Sequence, residues 1–252
     1  MPRRRFLVPP DALAGGRVRF DATEAHHLSR VLRLRPGALV EAADGTGRLV
    51  TVRLDTLGAR EAWGTVVEEG RSAAESPCAI TLAQAILKAE RMSWLVQKAT
   101  ELGVARIVPV ETERVVARPP AERAGGRRAR WERIAREAVK QCRRAAVPAI
   151  EPARGFADVL AEIARHDVGW LLWEGGGVSL AAAAREAGRP GRLLLLVGPE
   201  GGFTAGEVAH AEAAGARLVG LGPRILRAES AGLAGLALCQ YLFGDLGSED
   251  RP

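Results

Sequence analysis

The 252-residue sequence has little cysteine, little lysine, few aromatics and no long apolar run, and each scarcity removes a class of function. Cys78, Cys142 and Cys239 are odd in number and have no metal-ligand spacing. A disulfide scaffold and a metal site are therefore not expected, and the cysteines read as free thiols in a reducing compartment. Aromatic residues make up 4% of the chain, with a single Tyr, so there is no cluster of rings for base stacking of the RNA-recognition-motif type. The longest late apolar run, Ala231 to Cys239, is far too short to span a bilayer. Arg3 to Arg5 resemble a basic leader, but Pro9 and Pro10 stop the apolar stretch behind them, so no secretory signal is expected. These absences point to a cytoplasmic protein without membrane contact.

What remains is a globular composition, 47% apolar and 26% charged, long enough for one large domain or two of common size. The formal charge is +6, carried by 33 Arg and only Lys88, Lys98 and Lys140. Planar guanidinium forks suit bidentate phosphate contact; high-GC codon usage is the competing reason for the ratio. The charge is concentrated. Residues 1 to 35 hold eight Arg against Asp11, Asp21 and Glu24, a net +5. Residues 118 to 144 hold nine Arg and Lys140 against Glu122, Glu132 and Glu137, a net +7, which leaves −6 elsewhere. Two basic stretches on an otherwise acidic chain read as a polyanion binder, with solvated helix faces as the alternative.

The first 70 or so residues read as short strands: Phe6 to Val8, Arg17 to Phe20, Leu39 to Ala43, Arg48 to Leu54 and Trp63 to Glu68. A helix from about Thr23 to Leu34 interrupts them. The linker-like composition of Gly70 to Pro77 places a boundary there, giving domains at 1–72 and 73–252. Beyond it, apolar runs at 79–87, 106–110, 168–173, 193–197 and 218–221 alternate with helical patterns near 89–102, 127–143, 180–187, 205–214 and 230–243. Such alternation predicts a parallel sheet covered by helices. Gly103 is placed as a helix C-cap, and Thr204-x-x-Glu207 is a capping box.

Two segments stand out as chemistry. The apolar strand 193–197 runs into Gly198-Pro199-Glu200-Gly201-Gly202 and then a capped helix. In open α/β sheets, ligands sit beyond the carboxyl ends of strands, where glycines admit a close backbone. The segment is neither a Walker A loop nor G-x-G-x-x-G, so the usual nucleotide phosphate sites are disfavoured. A tight strand-to-helix turn is the competing reading. The second segment, Leu218 to Ala231, repeats the arrangement and sets Arg224, Arg227 and Glu229 in or next to the loop, with Ile225 and Leu226 between the two arginines. In the basic stretch, Trp131, Ile134, Ala135, Ala138 and Cys142 form one apolar stripe, with Arg130, Arg133, Arg136, Lys140 and Arg143 off it. His26 and His27, adjacent on a helix, face different ways; one reads as structural and the other as a phosphate or base contact.

GPEGGF at 198–203 followed by LGPRILRAESA at 221–231 resembles the paired signature of the RsmE family, SPOUT-superfamily methyltransferases acting on uridine N3 in 16S ribosomal RNA. RRRF with HHLSRVLRLRPG, QKATELGVARIVPVETER at 97–114 and KQCRRAAVPAI at 140–150 agree with it in order. The resemblance implies an N-terminal PUA-like β-barrel domain joined to an α/β domain with a C-terminal trefoil knot. It also implies S-adenosylmethionine held mostly by backbone groups of three loops, no metal, and a homodimer acting on 16S rRNA or the small ribosomal subunit. Carried over by motif, the cofactor residues are Leu172, Trp173 and Glu174; Val197, Gly198, Pro199 and Gly201; and Leu221, Gly222, Ile225, Leu226, Ala228, Ser230 and Ala231. The last motif departs from the family: Ala228 and Ser230 stand where Thr is usual, and only Ser230 keeps a hydroxyl. Arg227 is expected to stabilise the developing uridine anion, and Glu200 or Glu229 to orient the base. Arg3, Arg4, Arg5, His27, Arg30, Arg33, Arg136, Lys140, Arg143 and Arg144 are the expected RNA contacts. Two alternatives stand beside this reading: a SPOUT enzyme modifying another RNA position, and a non-catalytic RNA-binding or ribosome-assembly protein.

Overall fold

A computed structural model describes residues 3–58, 60–72, 74–115 and 121–247, and the chain divides into two compact units. The first comprises Met1–Glu75 with Val139–Val147. Its strands are β1 (Arg5–Leu7), β2 (Leu13–Ala14), β3 (Arg17–Phe20), β4 (Leu39–Ala43), β5 (Arg48–Leu57) and β6 (Ala62–Arg71), with helix α1 (Ala22–His26) after β3. They form one six-stranded sheet in the order β1-β4-β5-β6-β3-β2, antiparallel except for β1 on β4. Alternation in β3 turns Val18 and Phe20 inward, where Phe6, Leu28, Val40, Val52 and Leu54 complete the core. Phe6 meets Phe20 edge-on at 5.8 Å.

The expected helix at Thr23 to Leu34 is shorter and irregular. Asp21 caps α1 by accepting from the Glu24 amide, but after His26 the helix widens into a π turn over His27–Val31, in which the Leu32 amide donates to the His27 carbonyl. Arg33 follows with φ 52, a conformation that arginine rarely adopts.

Sequence composition does not signal that residues 139–147 join this unit. Glu75 fastens them: its carboxylate accepts from the amides of Ala145 and Ala146 and from Arg144 Nη2 at 2.9 Å. The loop at Gly45–Gly47 completes the attachment, with the Val147 amide donating to the Gly45 carbonyl and the Gly47 amide to the Ala145 carbonyl.

The second unit comprises Ser76–Ala138 with Pro148–Pro252. In chain order its elements are β7 (Ala79–Ala85), α2 (Ala89–Glu101), β8 (Arg106–Glu111), α3 (Ala121–Cys142, whose last turn belongs to the first unit), β9 (Ala149–Ile150), β10 (Arg154–Gly155), α4 (Phe156–Leu160), β11 (Val168–Leu172), β12 (Val178–Ser179), α5 (Leu180–Ala187), β13 (Arg192–Val197), α6 (Ala205–Ala213), β14 (Arg217–Gly220) and α7 (Ala228–Phe243). The sheet is parallel throughout, in the order β10-β8-β7-β13-β11-β14-β12, with β9 also on β8. Leu193 to Val197 are all buried, as a parallel strand covered on both faces requires. Gly103, at φ +82, ends α2 as its sequence position suggests.

Helix α7 lies close on β7 and β13 because its glycines allow it. A Cβ on Gly235 would sit 2.7 Å from Leu172 Cδ1, and one on Gly232 would sit 2.6 Å from Gln84 Oε1.

Candidate active site

The carboxyl ends of β11, β13 and β14 lie side by side, and the loops leaving them enclose two adjoining cavities. The larger, 410 Å³, is walled by Leu172 and Glu174, by Val197 to Glu200 with Gly202, and by Ile225 to Ala228 with Ala231 and Arg91. The smaller, 160 Å³, lies between Leu172 to Glu174 and Val219 to Leu226. Leu172, Glu174, Ile225, Leu226 and Ala231 border both.

The glycine loop after β13 is held from behind by side chains remote in sequence. Gln84, fully buried in β7 opposite Val197, donates from Nε2 to the Gly198 carbonyl at 3.2 Å. Arg114 donates from Nη1 to the Gly201 carbonyl at 2.9 Å. The Thr204–Glu207 capping box closes the far end, and Glu207 also accepts from the Glu113 amide. Gly202 stands at φ +67, and a Cβ there would come within 2.6 Å of Glu174 Oε1, so this position needs glycine for both conformation and room. With the Gly198 and Gly201 carbonyls held, the loop presents its backbone in one arrangement, which lowers the ordering cost of binding.

The ionisable side chains gather at the larger cavity. Arg91, at the start of α2, reaches Glu200 Oε1 through Nη1 at 3.4 Å and Glu229 Oε1 through Nε at 3.7 Å. The Lys88 amide also donates to Glu200 Oε1, at 3.5 Å. Glu229 is buried, and its Oε2 has no hydrogen-bond partner among the described residues. It sits in the first turn of α7. Arg227 is the N-cap residue of that helix and lines the cavity.

Of the residues expected to bind cofactor, Leu172, Trp173, Glu174, Val197, Gly198, Pro199, Leu221, Gly222, Ile225, Leu226, Ala228 and Ala231 line one or both cavities. Gly201 and Ser230 line neither; Gly201 instead gives its carbonyl to Arg114. Arg91, Gln84 and Arg114 were missed by sequence reasoning. The signal for Arg91 was present, because Lys88-Ala-Glu-Arg91 is another strand-to-helix turn at the same edge of the sheet. Gln84 and Arg114 carried none, since each acts across strands on residues about a hundred positions away.

The expected RNA contacts separate into two sets. Arg3, Arg4, His27, Arg30, Arg33, Arg136 and Arg143 are exposed. Arg5, Lys140 and Arg144 are paired with carboxylates from distant segments of the chain. Arg5 pairs with Glu41 at 2.9 Å with its side chain 8% exposed, Lys140 with Glu24 at 2.6 Å, and Arg144 with Glu75 at 5% exposure. His27 stacks edge-on against Phe6 at 5.7 Å and lies 3.9 Å from Glu24. His166 is half-buried, bonded through its two ring nitrogens to the Glu162 carbonyl and Thr81. Among the described residues, no three His, Cys, Asp or Glu form a metal-ligand group, and no helix is long and apolar enough to cross a membrane.

Comparison with known proteins follows this geometry. Residues 74–240 match the RNA methyltransferase domain family, and residues 20–67 match the RNA methyltransferase PUA domain. The ribosomal RNA small subunit methyltransferase E of Synechocystis is 32% identical over 243 residues, 95% of this chain and 78% of that protein. Among solved structures, the enzyme of that name from Neisseria gonorrhoeae, bound to S-adenosyl methionine, is 35% identical with a TM-score of 0.85, covering 97% of this chain and 99% of that one. A Legionella pneumophila methyltransferase in complex with the same cofactor has 28% identity and a TM-score of 0.85, covering 97% of this chain and 100% of its own. The chain belongs to the RNA methyltransferase family, alongside the ribosomal RNA small subunit methyltransferase E proteins.

Proposed function

We propose that this protein uses S-adenosylmethionine to methylate N3 of a uridine in the 16S rRNA of the small ribosomal subunit. The observation that carries this reading is the 410 Å³ cavity between strand-end glycine loops, in which Arg91, Glu200 and Arg227 face backbone and apolar walls. The residues present fit the cofactor. Leu172, Ile225, Leu226 and Ala231 offer apolar surface for an adenine, the loops offer backbone donors and acceptors, and Glu174 and Glu200 offer negative charge to a cationic ligand. When bound, S-adenosylmethionine supplies an electrophilic methyl group on a sulfonium.

The chain's own residues do the rest. Uridine N3 is an imide nitrogen within the Watson–Crick edge, so the base must be unpaired and placed in a pocket. The fixed loops align the two reactants. Arg227 stabilises negative charge developing on the uracil, and Glu200 or Glu229 orients the base.

The exposed Arg3, Arg4, His27, Arg30, Arg33 and Arg143 of the first unit, and Arg136 on α3, are read as RNA backbone contacts. In this reading, residues 1–72 are the PUA-like RNA-binding domain and 73–252 the SPOUT domain. The strand order, with β13 between β7 and β11 and α7 returning over β7 and β13, supports a trefoil knot. Exposed Leu238, Tyr241 and Leu242 on α7 and Trp94 on α2 support a homodimer. The free thiols support a cytoplasmic setting.

The test is calorimetric titration with S-adenosylmethionine combined with methyl transfer to small-subunit RNA. Arg227→Ala is expected to bind cofactor normally and to lose about 10²-fold or more in transfer rate. Full turnover by this variant would remove Arg227 from the chemistry, and failure of the wild-type protein to bind the cofactor would overturn the reading itself.

A further inference from the structure

We infer that Glu200 selects uracil and accepts its N3 proton, and that Arg91, held between Glu200 and Glu229, both faces the base as a donor and keeps Glu200 in place. The inference rests on the methyl-transfer reading and names how that site recognises its base.

Uracil presents an acceptor, a donor and an acceptor in a row, at O2, N3–H and O4. The complementary surface is a donor, an acceptor and a donor. Arg91, Glu200 and Arg227 line one cavity and supply those three characters as guanidinium, carboxylate and guanidinium. Cytosine offers a lone pair at N3 where uracil offers a proton, so against it the carboxylate meets an acceptor and is left unpaired. Sites built around a hydrogen bond reject the analogue that lacks it far more strongly than apolar pockets reject a change of size.

The structure also separates the two carboxylates. Glu229 does not border the cavity, and its side chain is 11% exposed on the Nε side of Arg91. Glu200 borders the cavity, with its side chain 23% exposed, and Oε1 is fixed by both Arg91 and the Lys88 amide. Glu229 therefore anchors Arg91, Arg91 anchors Glu200, and Glu200 alone of the three both accepts and meets the base. Glu174, the remaining carboxylate on the wall, packs against Gly202.

In the step itself, the N3–H bond breaks and its proton passes to Glu200. The N3 electron pair forms the bond to the methyl carbon as the carbon–sulfur bond breaks, its electrons staying on sulfur. A sulfonium and a carboxylate become a neutral thioether and a neutral carboxylic acid, so the opposite charges of the two reacting groups cancel. The partial exposure of Glu200 gives the proton a way to solvent once the base has left.

Glu200→Gln, Arg91→Ala and Arg91→Lys test this in the full-length protein. One measurement is the affinity of the S-adenosylhomocysteine-bound protein for small-subunit RNA fragments carrying uridine or cytidine at the target position. The other is the pH profile of single-turnover methyl transfer. Wild type is expected to prefer the uridine fragment by about 10-fold or more, and Glu200→Gln to lose that preference. At neutral pH its transfer rate falls by about 10²-fold or more, then climbs toward wild type in alkali, where the imide has already lost its proton. Arg91→Ala is expected to lower the transfer rate and weaken the preference for uridine, and Arg91→Lys to restore part of both. Retained base preference and neutral-pH rate in Glu200→Gln would overturn the inference. Absence of uridine methylation by the wild type would instead overturn the reading beneath it.

Discussion

Glu162 shows how single residues in this molecule are set by partners far away in the chain. It is buried between Arg106 and Arg154, with both guanidinium groups donating to its carboxylate. Burial pushes its carboxyl up, but the two donors outweigh burial and hold it below the usual carboxylate value. A carboxyl lower in the folded state stabilises the fold above its unfolded value, about 4.3, and loses that contribution as pH falls toward the folded value. Glu162→Gln is therefore expected to cost about 2 kcal/mol at pH 7. The difference from wild type should shrink below about pH 4, which denaturant unfolding at a series of pH values will read. A difference that stays constant down to acid would contradict the pairing. The same long-range pairing explains where counting charge along the sequence failed. Arg5, Lys140 and Arg144 sit in basic stretches, yet each meets a carboxylate from a distant segment, Glu41, Glu24 or Glu75. Sequence neighbours dictate local charge density, but only the fold decides which charges cancel.

At the scale of elements, helix α7 links packing to the site. Gly232 leaves room for Gln84, whose amide holds the Gly198 carbonyl at the cavity wall. Gly232→Ala adds a Cβ 2.6 Å from Gln84 Oε1. Alanine improves helix propensity by about 1 kcal/mol, so stability is expected to hold. Displacing Gln84 removes one hydrogen bond from the loop, worth about 1 kcal/mol, so cofactor affinity should fall about 5-fold. Calorimetry alongside thermal melting separates the two effects; unchanged affinity would show that Gln84 does not tune the loop. The long elements were legible because their periodicity is strong: β3, β4 and α5 match their expected ranges. The two-residue strands β9, β10 and β12 were not, since a pair of residues has no period. The π turn at His27–Val31 was hidden because its residues carry the same apolar spacing as a plain helix. The strand-end glycine loops were the most readable part of the site, since glycine at such a turn has few other uses.

Across the whole molecule, the modest net charge conceals a division of labour. Basic residues concentrate at the N-terminal stretch and along α3, while the cavity at the strand ends is lined largely by glycine-loop backbone and apolar groups. A large folded RNA would be gripped by charge at sites distinct from the one that holds the cofactor, and base identity would be read by Arg91, Glu200 and Arg227. The family and the order of its two domain matches were visible in the sequence because the motifs fall at strand ends, where a ligand constrains residue type. The side chains that support those loops were not, because they are joined to them only through the sheet. The central claim is that this chain places a methyl group on uridine N3 of small-subunit RNA. Mass spectrometry of 16S rRNA nucleosides from cells with and without the protein addresses it most directly. N3-methyluridine should disappear without the protein and return with the wild-type chain but not with Arg227→Ala; N3-methyluridine persisting unchanged in its absence would contradict the claim.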